Sequence, residues 1–215
     1  MNFDSFYSSE DIYFSQNHSG GMVECLEKFQ VAPCTALDIG AGEGRNSLYL
    51  AANGFNVISV EPSSVGARKI QEASQKFELN INVLNSDLLT VSASLNDIGF
   101  VLALTALEHM EYDYLIRAVV EIKRLITPGG YFYAIVFTEE DPGFIKDTEN
   151  ASECAMFIKH YFKKNELHNF FSDFDVLVYK EYTKEDLSHG KAHFHGKAKI
   201  FVKKPENWTE RAHNQ

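Results

Sequence analysis

Short apolar runs alternate with amphipathic stretches from about residue 35 onward, and the period switches between two and 3.6 as it does so. Thr35–Ile39 reads as a strand that ends at glycines. Arg45–Asn53 then reads as a helix, with Leu48, Leu50, Ala51 and Ala52 turned to a sheet and Gly54 closing it. Asn56–Val60 is a second strand. Pro62 suits a helix start, and that helix runs to about Phe77. Ile81–Leu84 and Ile98–Leu104 are strands. Asp113–Leu125 is a helix with Leu115, Ala118, Val119, Ile122 and Leu125 on one stripe, and Tyr131–Phe137 follows the turn Thr127-Pro128-Gly129-Gly130 as a strand.

The ends of the chain differ. Residues 1–20 read as an irregular polar and aromatic arm, and a helix covers about Met22–Phe29 before Pro33 breaks the chain. Lys163–Phe171 reads as a helix. Asp175–Tyr182 and Lys197–Lys203 read as an antiparallel hairpin at a sheet edge. Residues 139–162 show no period, which places them among the loops over the carboxyl ends of the strands. Buried strands alternating with helices predict an α/β protein: a Rossmann-like, doubly wound, mostly parallel sheet with helices on both faces. The expected division is one domain over 1–205, with 1–30 as an arm and helix over the site, 139–162 as a substrate-side insertion and 206–215 as a tail.

Composition narrows the choice. The chain has 215 residues, 45% hydrophobic, enough for one sizeable core. Its formal net charge of -10 repels phosphate backbones, so nucleic acid is not an expected partner. Cys25, Cys34 and Cys154 make an odd set without a C-x-x-C pair, which reads as reduced thiols. Met1–Asp11 lacks the apolar core of a signal peptide, and the longest apolar run, about Ile98–Leu107, is far shorter than a membrane span. A cytoplasmic protein, monomer or homodimer, without membrane contact is the expectation.

The chemistry concentrates at the first strand-to-helix turn, Asp38-Ile39-Gly40-Ala41-Gly42-Glu43-Gly44. Glycines there let backbone approach a ligand closely, and the next helix offers free N–H groups. In open α/β sheets this end of the strands forms the ligand crevice. A dinucleotide fingerprint wants G-x-G-x-x-G, but Arg45 stands where the third glycine belongs. Asp38 would repel a diphosphate. It suits S-adenosylmethionine, which carries an ammonium and a sulfonium and no phosphate. Glu61, ending the second strand, can accept from two ribose hydroxyls, or else serve the dipole of the next helix. Asp87, beside Ser86 and Leu88, can read an adenine amino group or cap the next helix. Ala103-Leu104-Thr105-Ala106-Leu107-Glu108-His109 would lie beneath the methionine part of the cofactor.

This succession of motifs resembles the class I methyltransferases. Within them the run Gly42-Glu43-Gly44-Arg45-Asn46-Ser47-Leu48-Tyr49-Leu50-Ala51-Ala52-Asn53-Gly54-Phe55 is similar to the tellurite-resistance methyltransferases of the TehB type, as are Tyr13-Phe14, His18-Ser19 and Thr127-Pro128-Gly129-Gly130-Tyr131. The resemblance implies seven strands with the last antiparallel, S-adenosylmethionine as cofactor, S-adenosylhomocysteine as product, and a small, soft acceptor such as a thiol or metalloid oxyanion. The residues expected at the cofactor are Asp38, Gly40, Ala41, Gly42, Gly44, Arg45, Asn46, Glu61, Pro62, Ser86, Asp87, Leu88, Thr105, Ala106 and His109, with Tyr13 covering the sulfonium by cation–π attraction or packing on the core. A late His-Arg pair is linked to catalysis in that family. Here the nearest counterpart is His189, followed by Gly190. His193 and His195 would share one face of an extended strand, but with neither a Cys nor a carboxylate in evident reach no metal is expected, and a solvated hairpin is the plain alternative. A module that binds the cofactor without chemistry is the competing function, and a nicotinamide oxidoreductase is disfavoured by Arg45.

Overall fold

The structure is a computed structural model that describes residues 3–8, 17–146, 150–186 and 192–208. Seven strands form one sheet: β1 (Thr35–Ile39), β2 (Asn56–Val60), β3 (Ile81–Leu84), β4 (Ile98–Leu104), β5 (Ile126–Phe137), β6 (Asp175–Asp186) and β7 (His193–Lys203). Their order is β3-β2-β1-β4-β5-β7-β6. The pairs β1–β2, β1–β4, β2–β3 and β4–β5 are parallel, while β7 runs antiparallel to both β5 and β6. This is the expected Rossmann-like architecture. No helix among the described residues is long and apolar enough to cross a membrane.

Side chains alternate across the pleat, so β4 feeds two cores. Phe100, Leu102 and Leu104 pack with Met22, Leu26 and Leu50. These come from α2 (Gly20–Lys28) and α3 (Arg45–Ala52). Val101 and Ala103 point the other way, toward Leu115, Ala118 and Ile122 of α6 (Tyr112–Leu125). All three are fully buried. At i, i+3 and i+7 they make the stripe that a 3.6-residue period requires, and each large side chain contributes roughly 1.5–3 kcal/mol by leaving water.

The other helices are α1 (Phe3–Tyr7), α4 (Ser64–Lys76), α5 (Leu88–Val91) and α7 (Glu166–Phe170). Several depart from the sequence expectation for local reasons. The arm is not wholly irregular, since α1 is a helical turn. On α3 the buried residues are Asn46, Ser47 and Leu50, while Ala52 is exposed; two inward positions are polar because they serve the glycine turn. Helix α4 starts at Ser64, because the Ser63 hydroxyl accepts from Gly66 N–H and leaves Pro62 in the loop. Helix α7 starts late, after a turn in which the Glu166 carboxylate takes the Lys163 N–H. The expected turn at Thr127–Gly130 is absorbed into β5. Gly129 N–H donates to Lys204 O and Lys204 N–H to Gly130 O, and a register shift against β4 makes room.

The hairpin is longer than its apolar residues suggest. Thr183–Asp186 continue to pair with His193–Gly196, and Asp186 stands directly opposite His193.

Candidate active site

Two adjoining cavities open at the carboxyl ends of β1, β2 and β4 and share Phe3, Tyr7, Gly40, Thr105 and His109 as wall residues. The larger has a volume of about 460 Å³ and is bordered by Ile39, Val60, Glu61, Pro62, Ser63, Asp87, Leu88, Ala106, Met110 and Tyr114. The smaller, about 140 Å³, is bordered by Asp38, Ala41, Gly42, Glu43, Arg45, Asn46, Asp141, Ser152, Asp186, His195 and Lys197.

The glycine turn is held from three sides. Gly40 has φ +66°, and a Cβ there would lie 2.6 Å from the Ala106 Cβ, so the turns after β1 and β4 touch where only glycine fits. Its N–H donates to Val60 O at 2.9 Å. Glu61 Oε2 accepts from Gly42 N–H at 2.7 Å and Oε1 from Ser63 N–H at 2.8 Å. One carboxylate thereby ties the turn to the entrance of α4. Glu61 is buried, and loss of water pushes its pKa up to about 7 against the two N–H donors. Asp38 is buried as well and accepts from the Ser47 hydroxyl at 2.6 Å, which itself accepts from the Ser59 hydroxyl at 2.7 Å. Burial raises its pKa to about 6, opposed by the Ser47 hydrogen bond and by Arg45.

The walls are equally specific. Asp4 of α1 accepts from the Ser63 hydroxyl and from Val65 N–H, which seats α1 over the larger cavity. Phe3 lies 5.1 Å from the Phe157 ring and edge-on to His109 at 4.9 Å. His109 Nδ1 meets Phe157 O at 3.1 Å, and burial holds its pKa down against that hydrogen bond. Asp87 is a helix cap: Oδ1 accepts from Thr90 N–H and the Tyr114 hydroxyl, Oδ2 from the Thr90 hydroxyl. The Tyr114 hydroxyl is the main cause of its lowered pKa.

The structure brings Asp38, Gly40, Ala41, Gly42, Arg45, Asn46, Glu61, Pro62, Asp87, Leu88, Thr105, Ala106 and His109 to the walls of these cavities. Gly44 and Ser86 are not wall residues. Gly44 is the left-handed N-cap of α3, and Ser86 donates its N–H to Leu84 O. Asn46 also has a tie away from the cavity, accepting Ser19 N–H at 2.9 Å. Tyr13, Phe14 and His189 lie outside the described residues. The solvated-hairpin reading of His193 and His195 is overturned by their burial, at 4% and 2% exposure. The two Nε2 atoms are 3.0 Å apart, and His195 Nδ1 lies 2.8 Å from Asp141 Oδ2. Sequence reasoning missed Phe3, Tyr7, Asp141, Asp186 and Lys197. Only Lys197 left a weak signal: it continues the alternation that puts His193 and His195 on one face of the strand.

Three comparisons bear on this geometry. The family profile of "Tellurite resistance protein TehB" matches residues 4–196. A curated relative from Haemophilus influenzae (strain ATCC 51907), "Probable S-adenosyl-L-methionine-dependent methyltransferase TehB", is 26% identical over 183 residues, 82% of this chain and 59% of its own. The chain thus spans about three fifths of that relative's length. Among solved structures, TehB from Haemophilus influenzae superposes with a TM-score of 0.73 at 22% identity, covering 94% of this chain and 65% of the other. Burkholderia thailandensis 1,6-didemethyltoxoflavin-N1-methyltransferase, solved with its namesake substrate and S-adenosylhomocysteine, gives 0.67 at 18% identity, covering 94% and 84%.

Proposed function

The chain belongs to the TehB tellurite resistance family, and from that premise we propose that it is an S-adenosylmethionine-dependent methyltransferase acting on a small, soft acceptor, a thiol or a metalloid oxyanion. The observation that carries this reading is the pairing of Glu61 with the Gly40–Gly42 turn at the mouth of the larger cavity. The residues present fit the cofactor. A cavity of about 460 Å³ with one buried carboxylate on its wall suits an adenosine, and buried Asp38 on the smaller cavity suits a cationic group.

When bound, the cofactor supplies a methyl group already made electrophilic by its sulfonium. The protein's task is then alignment and exclusion of water, which can contribute roughly 7–11 kcal/mol. Glu61 would accept ribose hydroxyls on the lone pairs that Gly42 and Ser63 leave open. Leu88, Ala106 and Met110 give an apolar slot for the base. Thr105 and Arg45, on the wall of the smaller cavity, would flank the methionine end of the cofactor. We assign the acceptor side to residues 139–162, because Asp141, Ser152, Ala155 and Ile158 of that segment wall the smaller cavity. A thiolate or oxyanion acceptor needs no strong base.

The test is titration calorimetry with S-adenosylhomocysteine, followed by transfer of labelled methyl to a panel of thiols and metalloid oxyanions. Affinity plus turnover on one class supports the reading. Affinity without turnover across the panel leaves a binding module, and affinity for NAD instead overturns it.

A further inference from the structure

We propose that Asp186, His193 and His195 form a binding site for a zinc-like divalent transition-metal ion at the wall of the smaller cavity. Two imidazoles and a carboxylate are a borderline donor set that zinc accepts readily. The carboxylate that sequence reasoning could not find is delivered by strand register, since Asp186 is the cross-strand partner of His193. One nitrogen from each histidine and one oxygen of Asp186 lie within 4.8 Å of one another. Ligands on a tetrahedral zinc ion stand roughly 3.3 Å apart. The two Nε2 atoms share a hydrogen bond at 3.0 Å, close to that spacing, and an ion would take the place of the shared proton.

The surroundings are those of a prepared ligand. Asp141 Oδ2 faces His195 Nδ1 at 2.8 Å, so that nitrogen keeps its proton and Nε2 presents a lone pair. Phe137 stacks on the same ring at 4.3 Å and fixes its plane. Gly196 makes the arrangement reachable: a Cβ there would come within 2.4–2.7 Å of the Glu140–Asp141 backbone. Its N–H also donates to Asp141 Oδ2 at 3.2 Å. His193 binds by carrying its proton on Nδ1. Lys197 Nζ lies 3.5 Å from Asp186 Oδ2 and holds the carboxylate at the strand end. Because Asp186 and His195 both wall the smaller cavity, the remaining coordination positions face the acceptor side. On the methyl-transfer reading, on which this role rests, the ion holds an acceptor thiol as its thiolate at neutral pH.

The experiment reads metal directly and needs no cofactor. The full chain is dialysed against zinc(II) or cobalt(II) and metal is counted by mass spectrometry, with the cobalt absorption spectrum as a ligand-field probe. One ion per chain with a low-symmetry nitrogen–oxygen cobalt spectrum is expected. Asp186→Ala should weaken binding at least tenfold, and Asp141→Asn about 10–100-fold with stoichiometry kept. His195→Ala should abolish it. Circular dichroism and thermal unfolding report folding, and if His195→Ala does not fold, the half-buried strand-end variant Asp186→Ala decides. No bound metal in the wild type, or unchanged binding in folded Asp186→Ala, overturns the site. Metal binding without any methyl transfer would sink the proposed function and leave the site standing.

Discussion

Glu61 accepts a backbone N–H on each carboxylate oxygen, yet its pKa is pushed up to about 7 because so little water reaches it. Affinity for S-adenosylhomocysteine should therefore rise between about pH 6 and pH 8 as this carboxylate ionises and becomes the better acceptor. Calorimetry of wild type against Glu61→Gln checks this, since the amide should flatten the rise. Glu61→Ala should weaken binding by about 1–3 kcal/mol, and unchanged affinity in a folded variant would mean the ribose lies elsewhere. Glu108 is the opposite kind of carboxyl. It is fully buried, neither oxygen has a hydrogen-bond partner among the described residues, and burial raises its pKa to about 8. Native protein holds a proton there that the unfolded chain releases above about pH 4.5, so stability falls as pH rises toward 8. Glu108→Gln should raise the melting temperature at pH 8 and change it little at pH 5. Asp38 and Glu61 were legible in sequence because a carboxylate at the carboxyl end of a parallel strand has few alternatives. Asp141 and Asp186 were not. Their neighbours are 54 residues away in one case and set by hairpin register in the other, and neither leaves a local pattern.

At the scale of elements, β1 to β4 could be read to the residue because each is a short, largely apolar run bounded by turn residues. Strands β6 and β7 were read short because their outer halves carry Lys184, Glu185, Asp186 and His193, polar residues that hide a pairing made by backbone alone. Helix α3 misled in the other direction. Its inward face holds Asn46, which accepts from Ser19, and Ser47, which reaches Asp38 of β1 and Ser59 of β2 through hydrogen bonds where an apolar contact was expected. Gly196 shows how one backbone position docks an element without a pattern. Gly196→Val should force Glu140 and Asp141 off β7 and cost about 1–3 kcal/mol, measured by denaturant unfolding. Gly20→Ala, where nothing lies within 4 Å of the added atom, should be neutral in the same assay.

For the whole molecule, Asp38, Glu61 and Glu108 all titrate upward of their ordinary values, to about 6, 7 and 8. Each favours the protonated native state, so their contributions share one sign. Burial lowers the pKa of His109 and His195, which acts in the opposite sense below about pH 6.5, so without ligand the protein should melt at a higher temperature near pH 6.5 than near pH 8, and a net charge of -10 adds to the loss at the alkaline end. Differential scanning calorimetry at the two pH values is the check, with added salt recovering part of the loss at pH 8. The strand order has a different consequence. It leaves two rims to the sheet, β3 and β6. The β3 rim is only four residues long. The β6 rim runs for twelve, long enough to template another chain. Lys180, Glu181, Lys184 and Glu185 charge it along its length. An incoming strand would have to strip water from those charges before it gained a single ladder bond, so the long rim that completes the site is also protected against self-assembly into aggregates.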